Sequence, residues 1–177
     1  MGEVIQMEFS ITNIYKNISQ LGDTIAKILK NFLFIIFTFM VIIVIIQIFR
    51  RYFFGSSFPW VEEAARYLFI WTIFIASAIG VKEKGHASVE FLLKKMETKK
   101  KYTIIIVKHL LLIFFFLTLV IVGLNRTNTS FGEIATSFPL SKGWVYLAIP
   151  VGGFLMFYYE AIDLINTFLL IKNIFKK

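Results

Sequence analysis

Charge punctuates this 177-residue chain and leaves four long apolar stretches between the punctuation marks. Nothing from Asn31 to Phe49 is charged, and those 19 residues cover about 28 Å as a helix, enough for a bilayer core. Arg50 and Arg51 end that stretch. Tyr52 to Phe58 contains Gly55, Ser56 and Ser57 and reads as a tight connection. A second span is predicted over Pro59–Val81 and a third over Tyr102–Leu124. Asn125 to Ser141 is rich in Asn, Thr and Ser, holds Gly132 and Pro139, and predicts a polar loop. The fourth span is predicted over 142–171. Pro150 should bend it near Tyr146, because the ring displaces the carbonyl four residues earlier.

Two further segments alternate at helical spacing. Ile14, Ile18, Leu21, Ile25, Ile28 and Leu29 step by three or four, with Lys16, Asp23, Lys27 and Lys30 on other faces. This predicts an amphipathic segment over 1–30 that lies on the membrane surface or leads directly into span one. Between spans two and three, Val89, Phe91, Leu92, Leu93 and Met96 predict a short interfacial helix. The expected fold is therefore all-α: an amphipathic segment at 1–30 and a four-helix membrane domain at 31–177, with spans at about 31–50, 59–81, 102–124 and 142–171.

Composition agrees. Hydrophobic residues make up 58% of the chain, above the roughly 45–50% of soluble domains. The net charge of +8 does not indicate nucleic acid, because the lysines cluster around the apolar spans. There is no cysteine, so no disulfide framework exists. The acids Glu3, Glu8 and Asp23 set the first 30 residues apart from a cleavable signal peptide. Lys and Arg number three before span one, eight over 82–108 and three after span four, against five on the other side. The positive-inside rule then places both termini and the middle loop in the cytoplasm.

Pro59-Trp60-Val61-Glu62-Glu63-Ala64-Ala65-Arg66 is the most chemically pointed stretch. Pro59 suits a first helical turn, and the glutamates suit the positive end of the helix dipole. Glu62 and Glu63 stand four and three residues before Arg66, so all three can meet on one face. Arg50 and Arg51 oppose the charge rule locally, and Glu62 and Glu63 across the turn are their expected partners. The simpler alternative is a capped helix start with an interfacial ion pair.

Other signals are weaker. His86 reads as a solvated or headgroup-facing side chain. Lys108 and His109 are expected to snorkel to the interface. Lys99-Lys100-Lys101 reads as a topology signal that contacts anionic lipid. No Gly-rich phosphate cradle or metal-ligating set appears, so neither ATP chemistry nor a cofactor is expected. Spans one, two and four show no acid or base near their middle, and no paired Gly/Pro breaks mark a carrier's binding site. The pattern is that of a membrane scaffold rather than an enzyme.

The succession Arg51-Tyr52-Phe53-Phe54, Trp60-Val61-Glu62-Glu63-Ala64-Ala65-Arg66-Tyr67-Leu68-Phe69-Ile70-Trp71 resembles the small membrane subunit of tripartite ATP-independent periplasmic (TRAP) transporters. Lys82-Glu83-Lys84-Gly85-His86-Ala87-Ser88-Val89-Glu90-Phe91 and Lys142-Gly143-Trp144-Val145-Tyr146-Leu147-Ala148-Ile149-Pro150 fit the same family. The likeness covers Asn31 to Ile171. The resemblance implies four helices with both termini cytoplasmic, in a bacterial or archaeal inner membrane. It implies a non-catalytic partner of a large permease subunit that carries the substrate and sodium sites. A soluble binding protein would deliver an organic acid such as a dicarboxylate or sialic acid. Arg50, Arg51, Trp60, Glu62, Glu63, Arg66 and His86 are then the candidate polar cluster or partner interface, and no residue of this chain is expected to bind substrate. The competing reading is a stand-alone small channel or carrier, or the membrane anchor of an enzyme complex. A haem anchor would want histidines inside opposed spans, and only His109 lies in a predicted one.

Overall fold

A computed structural model describes the backbone of residues 2–83 and 98–175, and the side chains of 17–83, 101–169 and 171. The interfacial helix expected at 89–96 and the candidate His86 lie outside the described residues. The fold is all-α, and four of its helices are long and apolar enough to cross a membrane. They are α1 (Gly2–Phe54), α2 (Pro59–Lys82), α3 (Thr98–Ser130) and α5 (Ala148–Phe175); a single turn, α4 (Gly143–Tyr146), leads into α5. The 55–58 turn and the 131–142 loop share one end of the bundle, called here the loop end. The opposite end is the terminal end.

Three boundaries follow from local chemistry. The predicted amphipathic segment and span one form one unbroken helix, α1, so of the two expected arrangements the chain takes the continuous one. Gly55 ends that helix at φ 61°, a conformation costly for any residue with a Cβ. The fourth span breaks between Tyr146 and Ala148, where Pro150 was expected to bend it. The third span runs further than its hydropathy suggests. The Asn125–Ser130 segment, read as loop, continues α3, and Thr129 folds its hydroxyl back onto the Asn125 and Arg126 carbonyls. The true loop is a short hairpin, in which Ile134 bridges Ser141 and Ala135 N–H donates to the Leu140 carbonyl at 2.8 Å.

Helix α5 is the hub. It packs along α3 on one flank and α2 on another. Gly123 of α3 makes the first contact so close: a Cβ there would stand 2.8 Å from Pro150 Cδ and 2.9 Å from the Pro150 nitrogen. Gly152 takes Phe74 of α2 equally closely. Ala78, Phe116, Met156, Tyr159 and Ala26 of α1 form the buried core.

Helix α1 is attached differently. From Gly22 to Arg50 its covered positions are Gly22, Ile25, Ala26, Leu29, Leu33, Ile36, Met40, Ile43, Gln47 and Arg50, and everything between is exposed. From Ala26 on, the steps alternate three and four, a heptad seam of the kind that supercoiling helices use. Gln47 and Arg50 are the polar members of that seam, at its loop end. The Gln47 amide accepts from Phe58 N–H at 3.0 Å and donates to the Phe58 carbonyl at 3.1 Å, which satisfies the residue that opens α2.

Candidate functional site: polar clusters between the helices

At the loop end, Glu63 does not turn toward the arginines. Its Oε1 accepts from the Tyr67 hydroxyl at 2.6 Å and from Thr136 N–H at 3.1 Å, and its Oε2 accepts from Ser137 N–H at 2.8 Å. Three donors hold both carboxylate oxygens and fasten the 131–142 hairpin to α2. Tyr67 also meets the Phe138 ring, with centroids 5.9 Å apart, and Trp71 donates to the Trp144 carbonyl at 3.2 Å. Glu133 ties the hairpin internally by accepting from Lys142 at 3.3 Å, and ties it to the end of α3 by an ion pair with Arg126 at 3.6 Å.

The expected pairing of Arg50 or Arg51 with Glu62 or Glu63 is not among the ion pairs of the described residues. Arg50 instead lays its guanidinium 3.7 Å over the Phe58 ring and donates to Ser56 Oγ at 3.2 Å. A planar cation stacked on an aromatic face is stable without a carboxylate. Arg51 and Trp60 are exposed. Arg66 meets Glu62 at 3.7 Å, both largely exposed, so that pair contributes little. Of the three charges expected on one face, two share it and Glu63 serves the loop. Glu63, Arg66, Tyr67, Thr136, Lys142 and Tyr146 line an open cavity of about 250 Å³ there.

A second cluster was not foreseen. His109 does not snorkel: it is 1% exposed, and Glu160 of α5 is 2% exposed. His109 Nδ1 lies 2.6 Å from Glu160 Oε1, and its Nε2 lies 3.2 Å from the Thr167 hydroxyl. Lys108 Nζ approaches the same Glu160 oxygen at 4.0 Å. The fourth span is therefore not free of interior acids, and its carboxylate is compensated from α3. The sequence carried a partial signal: Glu160 and Thr167 are seven residues apart and so share a face of one helix, and His109 is one of only two histidines.

A third set ties α1 to the hub at the terminal end. Lys82 pairs with Asp23 at 2.7 Å and donates to the Gly22 carbonyl at 3.2 Å. Tyr158 and Tyr159 donate to the Ile18 and Gly22 carbonyls at 3.0 and 3.3 Å. Lys30 pairs with Glu83. Among the described residues no group of His, Asp and Glu is arranged to hold a metal ion.

Comparison with known proteins gives this arrangement its context. Residues 40–170 match the DctQ component of the tripartite ATP-independent periplasmic transporters. The sialic acid TRAP transporter small permease protein of Vibrio cholerae is 23% identical over 129 residues, 72% of this chain and 74% of that protein. A putative TRAP transporter small permease protein of Haemophilus influenzae is 36% identical over 76 residues, 43% of this chain and 47% of that one. The sialic acid TRAP transporter permease protein of Haemophilus influenzae is 29% identical over 117 residues, which span 66% of this chain and only 19% of that longer protein. Four apolar spans, a loop clamped by Glu63 and a family match over most of the length lead to one conclusion: the chain belongs to the DctQ family of TRAP transporters, a multi-pass small permease subunit that works with a large permease subunit and is not an enzyme.

Proposed function

We propose that this chain is the scaffold subunit of a sodium-coupled TRAP importer of an organic acid. It braces the large permease subunit and presents the loop end to the binding protein. Both termini lie in the cytoplasm of a bacterial or archaeal cell, and lipid covers much of α1. The observation that carries this reading is the match to one fifth of a longer permease. A helical unit that recurs as a minor part of a larger transporter supplies one part of its work. Two of the three relatives are named for sialic acid, so a carboxylated sugar acid is the first substrate to test. The described interior supports the same division of labour: the buried Glu160 is bonded to His109 within the chain.

The test is co-expression with a large TRAP permease encoded beside it, followed by purification and uptake in proteoliposomes. The reading expects a one-to-one complex and sodium-dependent uptake when the binding protein is added, with neither subunit active alone. Uptake by this chain alone would sink it.

A further inference from the structure

His109 lies eight residues past Lys101, and Glu160 lies twelve residues before Lys172, the charges that flank their apolar runs. Both are therefore about 12–18 Å along the helix from those charges, at hydrocarbon depth. An ionisable group kept there without a partner is costly, and the default reading of a paired one is functional. The bonding at this pair has a particular property. A carboxylate can only accept, so a charged Glu160 requires a proton on His109 Nδ1. That leaves Nε2 to change state, and Nε2 faces a hydroxyl. Thr167 donates to a bare Nε2 and accepts from a protonated one. Either state of the imidazole is fully hydrogen-bonded, so neither incurs the penalty of an unsatisfied buried group.

We propose that His109 is a proton-binding site within the membrane spans, with Glu160 fixing Nδ1–H and Thr167 serving Nε2 in both protonation states. Of the two ring nitrogens, Nε2 is the one that takes the proton, on the Thr167 side. Once bound, the proton turns the α3–α5 contact from a hydrogen bond onto a carboxylate into an ion pair of imidazolium and carboxylate. The charged groups around the imidazole in the described residues are Lys108 from α3 and Glu160 from α5, with Asp163 one turn along. Lys82 of α2 and Asp23 of α1 engage each other and line the neighbouring cavity with Asp163.

The full chain, labelled with ¹⁵N-histidine and held in lipid nanodiscs, tests this by imidazole NMR across pH. The chain has two histidines, so the signals that persist in His86→Gln belong to His109. The expected result is an Nδ1 that stays protonated throughout while Nε2 gains a proton on acidification. Glu160→Gln can donate as well as accept, so it no longer dictates the tautomer, and the neutral imidazole should then populate Nδ1–H and Nε2–H forms together. Thr167→Val should shift the neutral Nε2 resonance toward a nitrogen without a donor, and Thr167→Ser should restore it. A wild-type neutral form protonated at Nε2 would overturn the proposal, as would a Glu160→Gln tautomer distribution matching wild type or an Nε2 that stays bare to the acid limit of folding.

Discussion

Helices α1 and α5 show opposite solutions to life in a bilayer. The most apolar window of α1 has a mean hydropathy of 3.1, and only 6% of it is buried by the rest of the chain. The corresponding window of α5 has a mean hydropathy of 1.5 and is 44% buried. The other two spans fall in the same order, α3 at 2.8 and 11%, α2 at 1.7 and 22%. Hydropathy and burial run inversely, against the habit of soluble proteins. A helix that faces lipid needs apolar side chains all round, whereas one wrapped by protein can carry Glu160, Asp163 and two tyrosines if neighbours satisfy them. The comparison teaches that the polar helix of this bundle is its core and the most hydrophobic helix its periphery.

The sharpest way to break the contrast is to unpair the hub. Glu160→Ala should destabilise the fold by about 3 kcal/mol, the lower range for a broken buried pair, read as reduced resistance to chemical denaturation in micelles. Lys100→Ala should change nothing. Next comes the close approach that lets α3 reach the hub. Gly123→Val pushes a side chain against Pro150 backbone and should cost about 1–3 kcal/mol, whereas Gly80→Ala, which meets nothing within 4 Å, should be neutral. Loss of both effects would mean that the α3–α5 contact is looser than it stands here.

Smaller effects test the attached elements. Glu63→Ala strips the shared acceptor from three donors and should free the hairpin. A cysteine at Thr136 should then react several-fold faster with a water-soluble thiol reagent. The smallest effect belongs to the periphery. Phe37→Leu on the exposed face of α1 should shift stability of the isolated chain by less than about 0.5 kcal/mol. If it nonetheless lowers the yield of the complex with the large subunit, that face meets protein rather than lipid.

Much of this architecture was legible in the sequence, for physical reasons. Span positions follow from uncharged length, and the break before Ala148 follows from the ring of Pro150. The end of α3 was misplaced because Thr and Ser can bond to their own helix, as Thr129 does, so polarity alone did not end it. The clusters were read only in part. Glu62–Arg66 is local and obeyed helical spacing. Glu63 and Arg50 did not pair because nearer partners existed: backbone N–H groups of a hairpin 73 residues on, and the ring of Phe58. His109 and Glu160 are 51 residues apart on different helices, and no periodicity connects them.

The composition of α5 also bears on how the chain is made. A segment bearing Glu160 and Asp163 partitions poorly into lipid by itself, since each acid near a helix centre costs a few kcal/mol on insertion scales. Helices α1 to α3 leave the ribosome first and can settle in the bilayer before α5 emerges, with His109 and Lys108 already placed. Helix α5 should then enter by docking onto them, its acids neutralised on arrival. Glycosylation mapping in microsomes checks this: α5 alone should insert inefficiently, should insert well behind the preceding helices, and should lose most of that gain when His109 and Lys108 are both replaced by leucine. The last helix translated is thus the one whose entry into the membrane depends on all that came before it.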